Sequence, residues 1–248
     1  LHLARQGEKF GLRIPRAEID MDALQARKRH WVADFADYRR EQLESDRFTL
    51  YRQHGRFIGP QEIELEGGTR IQADRIMVAT GSVVNSPPLP GLVDVPAWTS
   101  DDILDLESVP ESVLVLGGGI IASELGQFLA RAGSRVTLIQ RGDHILREAG
   151  EPAARVVEEA FRSEGMEVFT GTGIQAVEET PRGIRVAFSH EGNTVVREAA
   201  HLLNALGRRP NTSSLNLSAA GLETGSRGHL LHDGWQQTNQ PGIYTGGD

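Results

Sequence analysis

The chain of 248 residues carries 26 Lys and Arg against 34 Asp and Glu, which gives a formal charge of −8, and it contains no cysteine. The acidic balance excludes the basic face that nucleic-acid binding needs, and the lack of cysteine excludes a disulfide framework, a thiolate metal site and a cysteine nucleophile within these residues. No apolar run reaches the roughly 18 residues that span a bilayer, and no signal-peptide pattern is present, so we expect a cytoplasmic protein without a membrane partner.

The first predicted element is a long helix at residues 19–45. Leu24, Trp31, Phe35 and Tyr38 follow one another at steps of three, four or seven, which is the spacing of one helix face. We interpret the three aromatic residues as packing against the rest of the chain rather than as an aromatic binding site.

Short strand-like segments follow the helix and lead into a glycine turn. Gly-Pro at residues 59–60 and Gly-Gly at 67–68 separate these segments as turns, which predicts a small antiparallel meander. The apolar run at residues 75–79 then ends at Thr80 and Gly81. The predicted strands of the meander are residues 48–52, 56–58, 62–65 and 70–72.

An alternating α/β pattern begins after the proline-rich residues 87–91, which cannot continue a helix or a strand and which we predict to be a linker. Alternation of strands and helices is typical of parallel strands with crossover helices. Glu158 and Glu159 fall in the second of these helices, where we expect a solvated face. The predicted elements are strands 113–116 and 135–140, helices 120–131 and 151–163, strands 166–170, 173–179, 183–189 and 193–198, and a buried strand at 201–206.

A glycine motif lies between the first strand and helix of this pattern. Gly117 suits the tight turn, Gly119 leaves room for a dinucleotide pyrophosphate, and Ala122 is small where the helix packs on the strand. The negative charge of the pyrophosphate would then rest on the N-terminus of the helix. The strand before, the helix after and a second strand ending about 20 residues further on predict nucleotide binding.

The end of the second strand bears on the choice of nucleotide. An acid there binds the ribose of NAD, whereas a nearby Arg accommodates the 2′-phosphate of NADP. This chain has Gln140 followed by Arg141, with Arg147 further along, so the charges favour NADP. The alternative is that Arg141 is a solvated surface residue and that Asp143 binds the ribose of NAD.

Three further motifs surround the glycine turn in a family-like order. They are Ala-Thr-Gly at residues 79–81, Ala-Leu-Gly-Arg-Arg-Pro-Asn at 205–211 and Ile-Tyr-Thr-Gly-Gly-Asp at 243–248. Together with Gly117 they resemble the pyridine nucleotide-disulfide oxidoreductases, the flavoproteins that include glutathione reductase, dihydrolipoamide dehydrogenase and mercuric reductase. The resemblance implies an α/β fold with two Rossmann-like dinucleotide-binding domains, which contain parallel sheets and antiparallel β-meanders.

The resemblance also implies a division of the chain into domains. Residues 1–102 would form part of an FAD-binding domain, 103–225 an NAD(P)-binding domain and 226–248 a return segment of the FAD-binding domain. The chain begins at Leu1, and the family's first glycine motif, cysteine pair and C-terminal domain are not among its residues. We therefore expect an internal fragment with an incomplete FAD domain, from a protein that forms a homodimer through its C-terminal domain.

On the pyridine-nucleotide side, the resemblance implies that Gly117, Gly119 and Ala122 hold the NADP pyrophosphate and that Glu124 lies near the nicotinamide. On the FAD side, it implies that Asp248 accepts hydrogen bonds from the ribityl chain. The remaining implied positions are Gly55 near the adenine of FAD, Thr80 and Gly81 where the chain leaves the FAD domain, and Gly207 and Arg208 where it returns. Taken singly, each position could instead be a simple turn or a surface residue.

The function that the resemblance implies is an FAD-dependent oxidoreductase that takes hydride from NADPH or NADH and passes electrons to a disulfide or a related acceptor, as in cell redox homeostasis. One alternative is an isolated nucleotide-binding unit, and another is a flavin-dependent oxidase or peroxide reductase without a disulfide. Ile120 stands where glutathione reductase has a tyrosine, which favours the dihydrolipoamide dehydrogenase and mercuric reductase side, whereas Arg141 favours the other side, so the acceptor is left open. We expect no catalytic residue within these residues and no metal site, because the histidines are scattered; His229 and His232 lie three apart in a predicted strand, hence on opposite faces.

Overall fold

The structure, a computed structural model, describes residues 1–247. The helices are α1 (His2–Arg5), α2 (Met21–Leu43), α3 (Ser100–Leu104), α4 (Ile120–Ala132) and α5 (Glu151–Ser163). The strands are β1 (Gly55–Gly59), β2 (Glu62–Leu65), β3 (Arg70–Gln72), β4 (Ile76–Val78), β5 (Ser82–Val84), β6 (Ser112–Leu116), β7 (Arg135–Ile139), β8 (Glu167–Phe169), β9 (Gly173–Thr180), β10 (Gly183–His190), β11 (Asn193–Ala199), β12 (His201–Asn204), β13 (Arg208–Pro210) and β14 (Ile243–Thr245). Parallel sheets and antiparallel meanders are both present, so the predicted α/β fold class is confirmed.

Four parallel strands form the sheet that carries the glycine turn, in the order β12-β6-β7-β8. The central strand β6 is buried at every position, as expected for a parallel strand that is covered on both faces. Val113 and Val115 pack in one core with α4 and α5, whereas Leu114 and Leu116 pack in a second core with β9 and β10. The alternation of side chains along a strand thus divides one apolar run between two cores.

The meander of β9, β10 and β11 covers the second face of this sheet. β10 pairs antiparallel with both of its neighbours, and its Val186 and Phe188 are fully buried. Arg197 of β11 donates a hydrogen bond of 2.9 Å to Glu167 of β8. This bond holds the pKa of the Glu167 carboxyl below its ordinary value and ties the meander to the edge of the parallel sheet.

A second group of strands combines residues that precede the parallel sheet with residues that follow it. β1, β2 and β3 form an antiparallel meander, β4 pairs in parallel with β14, and β5 pairs antiparallel with β13. Phe57, Val78 and Ile243 are buried in a common core. Because β4 and β14 are parallel, their carboxyl ends lie at the same edge.

Contacts divide the chain into two compact units. The first unit comprises residues 1–36 and 86–207, and the second comprises residues 37–85 with the residues from 208 onward. These boundaries differ from the predicted domain boundaries after residues 102 and 225. Which cofactor belongs to which domain stays a prediction.

The difference in boundaries has local causes. Gln25 donates to the Leu104 carbonyl at 2.9 Å, which joins the N-terminal residues to the first unit. The proline-rich stretch lies in the same unit because Leu92, which follows it, is buried in the core with β9 and β10. The residues from 208 onward lie in the second unit because β13 pairs with β5 and the Leu215 carbonyl accepts the Phe57 N–H at 2.9 Å.

The aromatic residues of α2 do not pack as predicted. Trp31, Phe35 and Tyr38 are 50, 69 and 57% exposed, and the buried residues of this helix are Met21 and Gln25. The helix itself is confirmed. The spacing of the aromatic residues predicts the helix, but it carries no information on whether another part of the chain covers them.

No strand forms at residues 48–52, where the sequence pattern predicts the first strand of the meander. Phe48, Leu50 and Tyr51 are 59, 42 and 48% exposed. The first meander of the structure consists of β1, β2 and β3, because residues 48–52 have no strand partner among the described residues.

We predict that replacing Phe35 with Ala changes the free energy of unfolding by less than about 0.5 kcal/mol, as is usual for an exposed side chain. The matched change Phe161→Ala in α5, where the side chain is 2% exposed, should cost about 3 to 5 kcal/mol. Urea unfolding followed by circular dichroism measures both changes. A loss at Phe35 comparable to that at Phe161 would contradict the exposure of α2.

Candidate nucleotide-binding site

The turn after β6 can be made only by glycine at its first position. Gly117 has a φ of +112°, and a Cβ at this residue would lie 2.3 Å from the carbonyl oxygen of Ala205. Its N–H donates to the Ile139 carbonyl at 2.9 Å. The turn is therefore held between the ends of β7 and β12.

Gly119 and Ala122 occupy the start of α4. Gly119 is the N-cap residue, and no atom lies within 4 Å of the position that a Cβ would take. Ala122 is completely buried in the core that α4 shares with β6. The first turn of α4 contains no acidic residue, so no carboxylate of that turn neutralises the positive end of the helix dipole.

The loop from Gln140 to Ala149 follows β7 and lies against the glycine turn. Leu146 N–H donates to the Gly118 carbonyl at 2.6 Å. A Cβ on Gly118 would lie 2.9 Å from the Gln140 side chain, whose Nε2 donates to the His144 carbonyl at 3.3 Å. Gln140 therefore closes its own loop over the glycine turn.

The two arginines of this loop are exposed and free of ion pairs within the described part of the chain. Arg141 directly follows Gln140, and Arg147 directly follows Leu146. Asp143 is also exposed. The loop that lies against the glycine turn thus carries two exposed guanidinium groups without an ion pair among the described residues, and one exposed carboxylate.

Other predicted residues of the pyridine-nucleotide side lie around the same edge of the sheet. Ala205 N–H donates to the Leu116 carbonyl at 2.9 Å, which brings Gly207 to the edge where the glycine turn lies. Gly207 is exposed, with a φ of +104°. On α4, Glu124 is exposed and Ile120 is 66% exposed.

Sequence analysis missed Glu158. Its side chain is 0% exposed, and it accepts the N–H of Ile145 at 3.0 Å, so the prediction of a solvated face is wrong for this residue. Glu159 is exposed as predicted. The spacing contained a signal, because Ala154, Glu158 and Phe161 follow one another at steps of four and three and form the buried face of α5.

The second unit contains a cavity of about 140 Å³. It is lined by the predicted turn residues Thr80 and Gly81 and by Gly246 and Gly247. Asn211 N–H donates to the Gly81 carbonyl at 2.9 Å. The parallel pairing of β4 with β14 explains why these two glycine segments meet. Asp248, predicted to bind the ribityl chain, lies outside the described residues.

His229 and His232 both line this cavity. The prediction that they lie on opposite faces of a strand is wrong, because neither belongs to a strand: His232 forms only an isolated bridge with Thr238, and His229 has no regular structure. Across residues 1–247, no group of three His, Asp or Glu side chains is arranged to hold a metal ion.

The remaining predicted residues of the second unit lie apart from this cavity. Gly55 lines a separate cleft of about 640 Å³ with His54 and Arg56. Arg208 donates two hydrogen bonds of 2.7 Å to the side chain and the carbonyl of Ser82. Its guanidinium therefore fastens β13 to β5.

The chain resembles known oxidoreductases along almost all of its length. The model of the family described as "Pyridine nucleotide-disulphide oxidoreductase" matches residues 20–248. A mercuric reductase of Lysinibacillus sphaericus is 32% identical over 100% of this chain and 45% of its own length, and one of Acidithiobacillus ferrooxidans is 40% identical over 81% of this chain and 36% of its own length. A dihydrolipoyl dehydrogenase of Chlamydia pneumoniae is 30% identical over 98% of this chain and 52% of its own length.

A solved structure has the same fold. The HOCl-induced flavoprotein disulfide reductase of Escherichia coli matches with a TM-score of 0.83 at 23% identity, over 98% of this chain and 53% of that one. The chain thus spans about half the length, or less, of these relatives. None of the helices in residues 1–247 combines the length and the apolar character needed to cross a membrane.

We predict unequal effects on stability of adding one methyl group at two positions of the glycine turn. Gly117→Ala should destabilise the chain by about 2 kcal/mol or more, because the residue has a positive φ and its Cβ would collide with the Ala205 carbonyl. Gly119→Ala should cost about 1 kcal/mol or less, because the space is open and only the poorer N-cap preference of Ala opposes the change. Thermal unfolding followed by circular dichroism measures both, and equal melting temperatures would contradict this account of the turn.

Proposed function

Because the chain belongs to the pyridine nucleotide-disulphide oxidoreductase family, we propose that it carries the NADPH site of a flavoenzyme that reduces a disulfide or a related acceptor. In this proposal NADPH supplies a hydride, and FAD relays the electrons to the acceptor. The observation that carries the proposal is the open glycine turn at Gly119, together with an exposed Arg141 that directly follows the turn-contacting Gln140.

The role of the glycine turn is to bind the pyrophosphate. The Ser123 N–H makes the first backbone hydrogen bond of α4, to the Gly119 carbonyl at 3.0 Å. The N–H groups that precede it have no carbonyl partner within the helix and point towards its N-terminal side. An anion at this position is stabilised by those donors and by the helix dipole.

The role of Arg141 is to select the phosphorylated nucleotide. The 2′-phosphate of NADP adds nearly two negative charges, for which a guanidinium is a forked partner. Gln140 offers no repulsion, and its amide is already bonded within the loop. The negative charge of Asp143 repels the 2′-phosphate and so weakens the preference for NADP, whereas the positive charge of Arg147 strengthens it.

The cavity of the second unit fits the flavin side of the same proposal. Gly81 and Gly247 have φ values of +70° and +95°, which favour glycine, and the missing side chains leave their backbone accessible. Thr80 and Thr245 supply hydroxyl groups at the cavity wall. We assign this cavity to part of FAD and, following the family, Gly55 to its adenine end.

A second candidate is a nucleotide-binding unit without turnover. The complete absence of cysteine from these 248 residues favours it, because disulfide reduction needs a redox thiol pair. Under this candidate the nucleotide site is the same, and the redox groups belong to other residues.

We predict that the 248-residue chain binds NADPH about ten- to a hundredfold more tightly than NADH, since a charge-assisted forked pair contributes about 1.5 to 3 kcal/mol. Arg141→Glu should abolish or reverse this preference. The matched control is Arg135→Glu, at the opposite end of β7, where the arginine pairs with Glu111 and is 74% exposed.

Calorimetric titration of the unmodified chain and of both variants with each nucleotide at moderate salt gives the six affinities needed. The control variant should keep the preference of the unmodified chain. Equal affinities for the two nucleotides in the unmodified chain, or a preference that survives Arg141→Glu, would reject the assignment of Arg141 and favour NAD with Asp143 on the ribose.

A further inference from the structure

Glu158 is a fully buried carboxylate on α5, and its partners belong to the loop after β7 and to α5 itself. Its Oε1 accepts the N–H of Ile145 at 3.0 Å in a buried contact. Its Oε2 lies 3.3 Å from Nη1 of Arg162 and 3.6 Å from Nη1 of Arg155, two arginines about half exposed on the same helix. A buried charge is costly unless it is paired and hydrogen-bonded, and here both conditions are met.

The bond to Ile145 fixes the middle of the loop that follows β7. Ile145 is fully buried in the core of α4 and α5. The next residue, Leu146, has a φ of +47°, which is unfavourable for a side chain of this type, and its N–H donates to the Gly118 carbonyl at 2.6 Å. Two successive N–H groups thus connect the loop to α5 on one side and to the glycine turn on the other.

Both arginines of the candidate site lie on this loop, which the two hydrogen bonds hold in place. Arg147 is adjacent to Leu146, and Arg141 lies four residues before Ile145. If the Ile145 N–H lost its acceptor, the strained conformation of Leu146 would lose one of its two supports. The loop would then populate other conformations, and binding would have to select the competent one.

We propose that Glu158 is a positioning residue that sets the affinity of the pyridine-nucleotide site and its preference for the 2′-phosphate by holding the loop of residues 140–149 on the glycine turn. This inference rests on the proposed function of the site. Glu158 touches no nucleotide in this account, and its effect passes through the backbone of Ile145.

Three variants of the 248-residue chain separate this role from a merely structural one. Glu158→Leu fills the buried space without an acceptor for the Ile145 N–H. Glu158→Gln keeps an acceptor oxygen at nearly the same position. Glu159→Gln is the matched control, because the adjacent residue is exposed on the same helix.

Two measurements are made on each variant: the dissociation constants of NADPH and NADH by calorimetry, and amide hydrogen exchange of the peptide that contains Ile145 without nucleotide. For Glu158→Leu we expect faster exchange, about tenfold weaker NADPH binding and a smaller loss for NADH. Glu158→Gln and Glu159→Gln should remain within about twofold of the unmodified chain. If Glu158→Leu only lowered the general stability of the chain, the ratio of the NADPH and NADH affinities would stay unchanged. Glu158→Gln would then not restore the loss.

If Glu158→Leu is not folded by circular dichroism, Glu158→Asp replaces it, since Asp keeps the charge but withdraws the carboxylate from Ile145. Unchanged affinities in the folded variant overturn the inference, whether or not exchange becomes faster. An unmodified chain that binds neither nucleotide overturns both the inference and the proposed function. If the unmodified chain prefers NADPH and the Glu158 variant keeps this preference, the inference is overturned and the proposed function stands.

Discussion

The close approach of the Gly117 backbone to the Ala205 carbonyl is the constraint on which the candidate site depends. β6 and β12 run parallel and in register, and the Ala205 N–H bonds to the Leu116 carbonyl, so the two strands leave no room for a side chain where they end. The chain must turn at once with a positive φ, and α4 begins three residues later, at Ile120. Its N-terminus is thereby fixed at the carboxyl edge of the sheet, where ligands of α/β proteins bind.

The same edge carries the charged side chains to which we assign the selectivity proposed for the site. Because β7 is the neighbour of β6, the loop after β7 emerges beside the glycine turn and bonds to it through Leu146. The loop is not held by its own sequence alone. The Glu158 carboxylate reaches it from α5, and the apolar side chain of Ile145 enters the core beneath it. A buried polar contact and a buried apolar contact together support a loop whose arginines remain free for a ligand.

Sequence reasoning succeeded where the signal is local and failed where it depends on distant neighbours. The apolar run of β6 and the strand, glycine and helix order around Gly117 predict both the fold class and the turn. The spacing of Trp31, Phe35 and Tyr38 predicts α2 but not that these residues are exposed, because exposure depends on what else is present. The charge of Glu158 predicts a surface position, whereas its spacing from Ala154 and Phe161 matches the buried face of α5.

The central claim is that a phosphorylated pyridine nucleotide binds at the glycine turn through backbone N–H groups and the loop after β7. A crystal structure of the 248-residue chain grown with NADPH tests this most directly. The account predicts the pyrophosphate against the N–H groups of Gly119 and Ile120 and the 2′-phosphate paired with Arg141. A nucleotide bound away from this edge of the sheet, or one whose ribose is held by Asp143 while Arg141 points into solvent, would contradict it.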